Sequence, residues 1–278
     1  MINKYKHPVP FYTLSTVIPW TFWFVAGYIS HITPFEEINM DIAIVLGLIG
    51  LISPMIVAFL LIYKESSLHG DLFNRFFNFK SVKPIYLILA ALIMLTSILL
   101  AQAISILFGY SPSQFAITGH FTFSSGVFPV WFLLILAPVL EELAWHSYGT
   151  DSLRNRFNLF ITSLIFGAYW AIWHVPLSFI KDYYQSNLVE TGWIYGVNFM
   201  ISIIPYVLIM NWLYYKTNRN ILVAIVFHIT AGYFNEIFAT HPDSKIIQTV
   251  LLCVLATIIV IREKDFFFKK DQVVQLSF

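Results

Sequence analysis

Residues 129–149 read PVWFLLILAPVLEELAWHSYG. The first twelve residues, 129–140, are apolar and uncharged, as a bilayer-crossing helix must be, since about 20 such residues cover the hydrocarbon layer. The same segment then places two adjacent glutamates, Glu141 and Glu142, and a histidine, His146. Ionisable groups at membrane depth are costly and mark function by default. A membrane helix and a reactive centre are therefore predicted in one segment.

Seven more apolar segments extend this reading: 11–30, 41–63, 85–108, 159–180, 193–215, 221–238 and 245–262. The composition agrees. Of 278 residues, 58% are hydrophobic and 11% charged, and the mean hydropathy is +0.74. Soluble domains carry about 25% charged residues. The predicted fold is all-α, a polytopic membrane helix bundle of about eight transmembrane helices. It forms a single domain over 1–278, with a motif-bearing core at about 129–238. A soluble enzyme and a disordered chain are excluded. So is a nucleic-acid binder, which needs a basic surface, because the net charge is only +1. Membrane lipids are the partners such a surface implies. The single cysteine, Cys253, excludes an intrachain disulfide and a Cys-rich zinc site.

Lysine and arginine bias sets orientation. With both termini cytoplasmic, fourteen of the sixteen basic residues fall on the inside and only Lys181 and Lys245 fall outside. The predicted location is the cell membrane, as a multi-pass protein. MINKYKHPVP leads directly into the first span without a small-residue cleavage site, so that span is expected to be retained. The 64–84 segment interleaves Phe73, Phe76, Phe77 and Phe79 with basic residues, and is read either as an amphipathic surface segment or as a connecting loop. The tail DFFFKKDQVVQLSF, from Asp265 on, invites the same two readings.

Few other polar groups lie in the spans. His174 sits in 159–180, and His228, Asn235 and Glu236 sit in 221–238. Adjacent glutamates point about 100° apart on a helix, so one is expected to meet a reacting water while the other holds structure. Glu142 and His146 share a face, as do His228 and Asn235. A desolvated carboxylate can act as general base toward water, and histidines can share the proton or stabilise an oxyanion. That is a hydrolytic set without Ser, Cys or a cofactor. Zinc is the alternative, with Glu141, His174 and His228 as ligands, although no HExxH helix is present. Each histidine alone also has a structural reading, as a cross-helix hydrogen bond. His146 and Glu236 are expected near span ends, within reach of water. His7, His31, His69, His120 and His241 fall in loops or tails.

EELAWHSY (141–148), YWAIWHVPL (169–177) and VFHITAGYFN (226–235) lie in that order on three spans. Together they resemble the CAAX protease and bacteriocin-processing family (CPBP, or Abi), which contains the type II CAAX prenyl endopeptidases. The resemblance covers about 85–240. It implies an eight-helix intramembrane bundle and a metal-free glutamate mechanism, with no cofactor. By the same resemblance Glu141 activates water, Glu142 is the second glutamate, Trp170 and His174 form the aromatic–x–x–x–His motif, and His228 helps to form the oxyanion hole. Two positions depart from the family pattern. The motif arginine falls on His146 and the motif asparagine on Gly232, with Asn235 as a candidate replacement donor.

The leading reading is an intramembrane endopeptidase acting on a membrane-associated protein or peptide precursor. The substrate is a prenylated protein, a bacteriocin leader or a signalling peptide. Residue composition favours a bacterium, and with it peptide maturation. The alternatives are a non-catalytic peptide-binding or bacteriocin self-immunity protein of the same fold, and a small transporter using Glu and His as a proton relay. Helical rise puts Glu141 and His228 roughly 11–12 Å from the cytoplasmic ends of their spans, but His174 roughly 23 Å from its own. For the three to meet, span 159–180 must start at another depth, tilt or break, and Pro176 is placed to end or kink it.

Overall fold

Three long helices begin with proline, whose fixed φ and missing N–H suit a first turn. They are α1 (Pro8–Ser30), α4 (Pro84–Ile106) and α11 (Pro242–Arg262). The computed structural model describes residues 1–34, 36–78, 82–119, 121–123 and 128–270. Phe79, His120 and the tail from 271 on, named above, lie outside the described residues. Between these helices run α2 (Glu37–Tyr63), α3 (Ser66–Phe77), α5 (Val130–Ala144), α6 (Thr150–Arg154), α7 (Leu159–Trp173), α8 (Tyr184–Thr191), α9 (Trp193–Lys216) and α10 (Ile221–Ile237). A short α12 (Lys264–Phe268) follows and buries Phe267.

The fold is an all-helical membrane bundle. Among the described residues seven segments are long and apolar enough to cross a bilayer, and α10 is a shorter apolar helix. The long helices and α10 close into a ring by pairwise packing: α1 on α2, α2 on α5, α5 on α10, α10 on α4, α4 on α11, α11 on α9 and α9 on α7. The 3₁₀ turn Val175–Phe179 after α7 then returns to α1. Large apolar side chains such as Val45, Ile88, Val197 and Val254 face outward from this ring. That is the arrangement expected where lipid, not water, is the solvent.

The span predicted over 129–149 runs further, to Arg154, through the π-helical turn Trp145–Gly149 and α6. In that turn Thr150 N–H reaches back to the carbonyl of Trp145 rather than His146. The carbonyls of His146 and Ser147 instead accept from the Arg75 guanidinium, at 2.8 Å each. Arg75 comes from α3, so the 64–84 segment is neither a plain loop nor only a surface helix. α3 exposes Phe73 and Phe77 and buries Leu68 and Arg75. The span predicted over 159–180 breaks where Pro176 precludes further α-helix, and its last residues form the 3₁₀ turn.

These two changes resolve the mismatch in depth. Glu141 lies 13 residues from the end of α6, about 20 Å, and His174 lies 15 residues from the start of α7, about 22 Å. The 17 residues of α10 cover only about 26 Å. Its first residue, Ile221, and its N-cap, Asn220, are already buried inside the bundle. His228 therefore sits deeper than its count from the helix start implies.

Candidate active site

Glu141 and Glu142 leave α5 in different directions, as their spacing requires. Glu142 is fully buried between two histidines. Its Oε2 faces His146 Nδ1 on the same helix, and its Oε1 faces His228 Nδ1 at 2.8 Å. Behind it His146 Nε2 meets Asn211 Oδ1 at 2.9 Å, and Asn211 Nδ2 donates to Ser163 Oγ at 2.9 Å. Glu142 is thus a fixed joint linking α5, α9 and α10. His146 occupies the position of the family's arginine and retains the contact to the glutamate. It is fully buried, not water-accessible as expected, because the helix continues to Arg154.

Glu141 turns toward an internal cavity of about 490 Å³. Its Oε2 accepts from Trp170 Nε1 at 3.0 Å and from Trp145 Nε1 at 3.4 Å. Trp170 joins the other two groups as well. Its carbonyl faces His174 Nδ1 at 2.7 Å, and its ring lies 5.2 Å from that of His228. Glu141, Trp170, His174 and His228 all line the same cavity. With Nδ1 of each histidine bonded to the protein, Nε2 is the atom left for a substrate or water.

The remaining wall is mixed. Leu134, Ala137, Leu48, Leu51, Met94 and Leu252 supply an apolar side. Thr122, Lys181, Tyr184, Asn198, Thr240 and Lys245 supply polar groups toward the end where α9 and α11 begin. Gly232, at the family's asparagine position, also lines the cavity, and a Cβ there would meet only Leu134 Cδ2, at 3.5 Å. Asn235 lines the cavity too, but its amide nitrogen is engaged by Tyr184 Oη and Glu236 Oε1, both at 3.0 Å. It lies about 10 Å along the axis from His228. Its hydrogen bonds give no support to a role as replacement donor. Glu236 is buried, not water-reached as expected, because Thr122 N and Oγ1 cover its Oε2 at 2.9 and 2.7 Å.

Residues 122–234, which carry the three motifs up to Phe234, match the family described as type II CAAX prenyl endopeptidase Rce1-like. CAAX prenyl protease 2 of Methanococcus maripaludis is 39% identical over 273 residues, which span 97% of this chain and 99% of that protein. The chain belongs to the type II CAAX prenyl endopeptidase family. It is a multi-pass membrane protein of a protease family.

Within that family site, two residues were not singled out by sequence. Tyr206 of α9 lines the cavity with its ring 6.0 Å from His228, and its buried hydroxyl has no hydrogen-bond partner among the described residues. Nothing distinguishes it from the other tyrosines of α9 until the helix is placed. Lys245 is one of two basic residues outside the positive-inside pattern, and that break is its signal in the sequence. The zinc alternative finds no ready ligand set, since no group of three His, Cys, Asp or Glu among the described residues is arranged to hold a metal ion.

Proposed function

We propose that the protein is an intramembrane endopeptidase that cleaves a lipid-anchored CAAX-type carboxyl terminus by a glutamate-activated water. The observation that carries this reading is the division of labour between adjacent glutamates: Glu142 is locked between two histidines, while Glu141 faces the cavity with only indole donors on one oxygen. Glu141 takes a proton from water as the oxygen attacks the scissile carbonyl. His174 Nε2, with its Nδ1 on the Trp170 carbonyl, holds that water. The oxyanion receives a hydrogen bond from His228 Nε2–H, the imidazole being held by Glu142 on its other nitrogen. The donor missing at Gly232 is supplied by the Tyr206 hydroxyl, a buried polar group whose lack of a partner calls for such a role. As the tetrahedral intermediate collapses, the C–N bond breaks and Glu141 returns its proton to the leaving amine. The apolar side of the cavity suits a prenyl chain.

We also propose that the basic-rich end, with both termini, faces the cytoplasm. A reporter fused near Gln185 then behaves as external, and a cytoplasmic signal there reverses the orientation. The cleavage reading is tested with a prenylated CAAX peptide in detergent micelles. Release of the terminal tripeptide should survive EDTA and vanish in Glu141→Gln. Loss in EDTA with rescue by zinc would overturn the glutamate mechanism. An intact peptide with wild-type protein would favour the non-catalytic alternative.

A further inference from the structure

Lys245 lies in the first turn of α11, inside the wall of the catalytic cavity. Its ammonium makes no hydrogen bond or ion pair among the described residues, and its recorded neighbour is the ring of Tyr184, 6.0 Å away. The carboxylates around it take their hydrogen bonds from neutral donors, while Glu236 still supplies negative charge near the ammonium. Glu236 accepts from Thr122 and Asn235. Asp243 accepts from Tyr110 Oη at 2.5 Å and Tyr195 Oη at 2.9 Å. Lys181, the cavity's other cation, has a partner of its own. With the Glu236 carboxylate as its electrostatic neighbour and no hydrogen bond of its own, the ammonium is available to an anionic ligand that enters the cavity.

We infer that Lys245 binds the terminal carboxylate of the substrate and so sets the distance from the chain end at which the bond is cut. This inference rests on the proposed CAAX-type cleavage. In a C-a-a-X end the lipid is carried by the cysteine, and release of the three following residues leaves the carboxylate three residues from the cut. Three extended residues span about 10–11 Å. His228 lies nine residues from the end of α10, about 13.5 Å deep, and Lys245 three residues from the start of α11, about 4.5 Å deep. Counted from the helix ends that the short 238–241 connection joins, the two residues differ in depth by about 9 Å. The offset matches the tripeptide. An ammonium also takes a carboxylate by a charge-assisted hydrogen bond, stronger than a neutral one.

The test compares a prenylated CAAX peptide bearing a free carboxyl terminus with the same peptide amidated, on wild type, Lys245→Met and Lys245→Arg. Wild type should show a KM at least tenfold lower for the acid. Lys245→Met should bring the two peptides to the same KM, and Lys245→Arg should keep a preference for the acid. Equal handling of acid and amide by wild type, or a preference that survives in a folded Lys245→Met, overturns the subsite. An acid–amide ratio of one, together with a KM that depends on anionic lipid only when Lys245 is present, would also overturn it by assigning the lysine to lipid headgroups. Cleavage of neither peptide overturns the CAAX reading itself, and with it the subsite. Cleavage of both alike removes only the subsite.

Discussion

Two buried clusters of charged groups among the described residues are built on opposite terms. At the basic end Asp151 accepts from Arg75, Arg219, Tyr214 and Tyr215, and Asp71 pairs with both arginines. Tyr5 closes the cluster by donating to Asp71 at 2.6 Å. Two acids meet two bases, and none of these residues lines the active-site cavity. In the middle of the bundle Glu141, His174 and His228 present atoms to a cavity, while only Glu142 is enclosed. The first cluster spends its polar atoms on the protein, and the second keeps some in reserve. Both are deep and polar, so burial alone does not separate a structural cluster from a reactive one. The separation lies in which atoms remain without a protein partner.

Five substitutions break or sharpen this contrast, from the largest effect to the smallest. Glu141→Gln should lower turnover by about 10³-fold or more, within the range for loss of a general base, and leave the thermal midpoint in detergent near wild type. A large drop in midpoint would make Glu141 structural. Asp151→Ala should do the reverse, because removing one member of a buried ion network strands the others at a cost of about 3–5 kcal/mol. A Tm within 2 °C of wild type would show that the basic-end cluster contributes little.

Tyr206→Phe removes a hydroxyl with no protein partner, so it should not destabilise the fold, yet it should slow turnover about tenfold or more as one oxyanion donor is lost. Adding Gly232→Asn, where a Cβ meets only ordinary contact, should recover part of that rate. Unchanged kinetics in Tyr206→Phe would leave His228 as the sole donor. The smallest effect concerns acid. Burial alone would raise the Asp71 carboxyl, but Arg75 and Arg219 hold it below the usual carboxylate range. Its contribution to stability is therefore complete above that range and is lost as pH falls below about 4. Asp71→Asn should flatten this part of a Tm-against-pH curve, and an unaltered curve would assign the acid sensitivity elsewhere.

Much of the molecule was legible in the sequence because membrane helices announce themselves by composition and intramembrane charges are scarce. The spans carrying Glu141, Trp170, His174 and His228 followed from those two facts, and the 100° offset of adjacent helical residues predicted that the two glutamates would part. Breaks from regular geometry were not legible. No residue type marks the π-helical turn at Trp145–Gly149, and it decides whether His146 lies at a surface or in the interior. Arg75, Arg154 and Arg219 read as loop charges, yet all three are buried, because their partners come from distant parts of the chain. Tyr206 and Lys245 acquire meaning only from atoms that do not touch them, which a sequence cannot display.

The π-helical turn also constrains how this helix can change. It inserts one residue between the glutamates and Asp151, and removing one residue from 145–149 would restore an ordinary α-helix. The two ends would then rotate by about 100° relative to each other. Either Glu141 would leave the cavity and Glu142 its histidines, or Asp151 would leave its arginines. Substitutions along this helix can be accepted one at a time, whereas a change of length costs both clusters at once. In a library of insertions and deletions, 141–151 should be the stretch where every surviving chain has the parental number of residues.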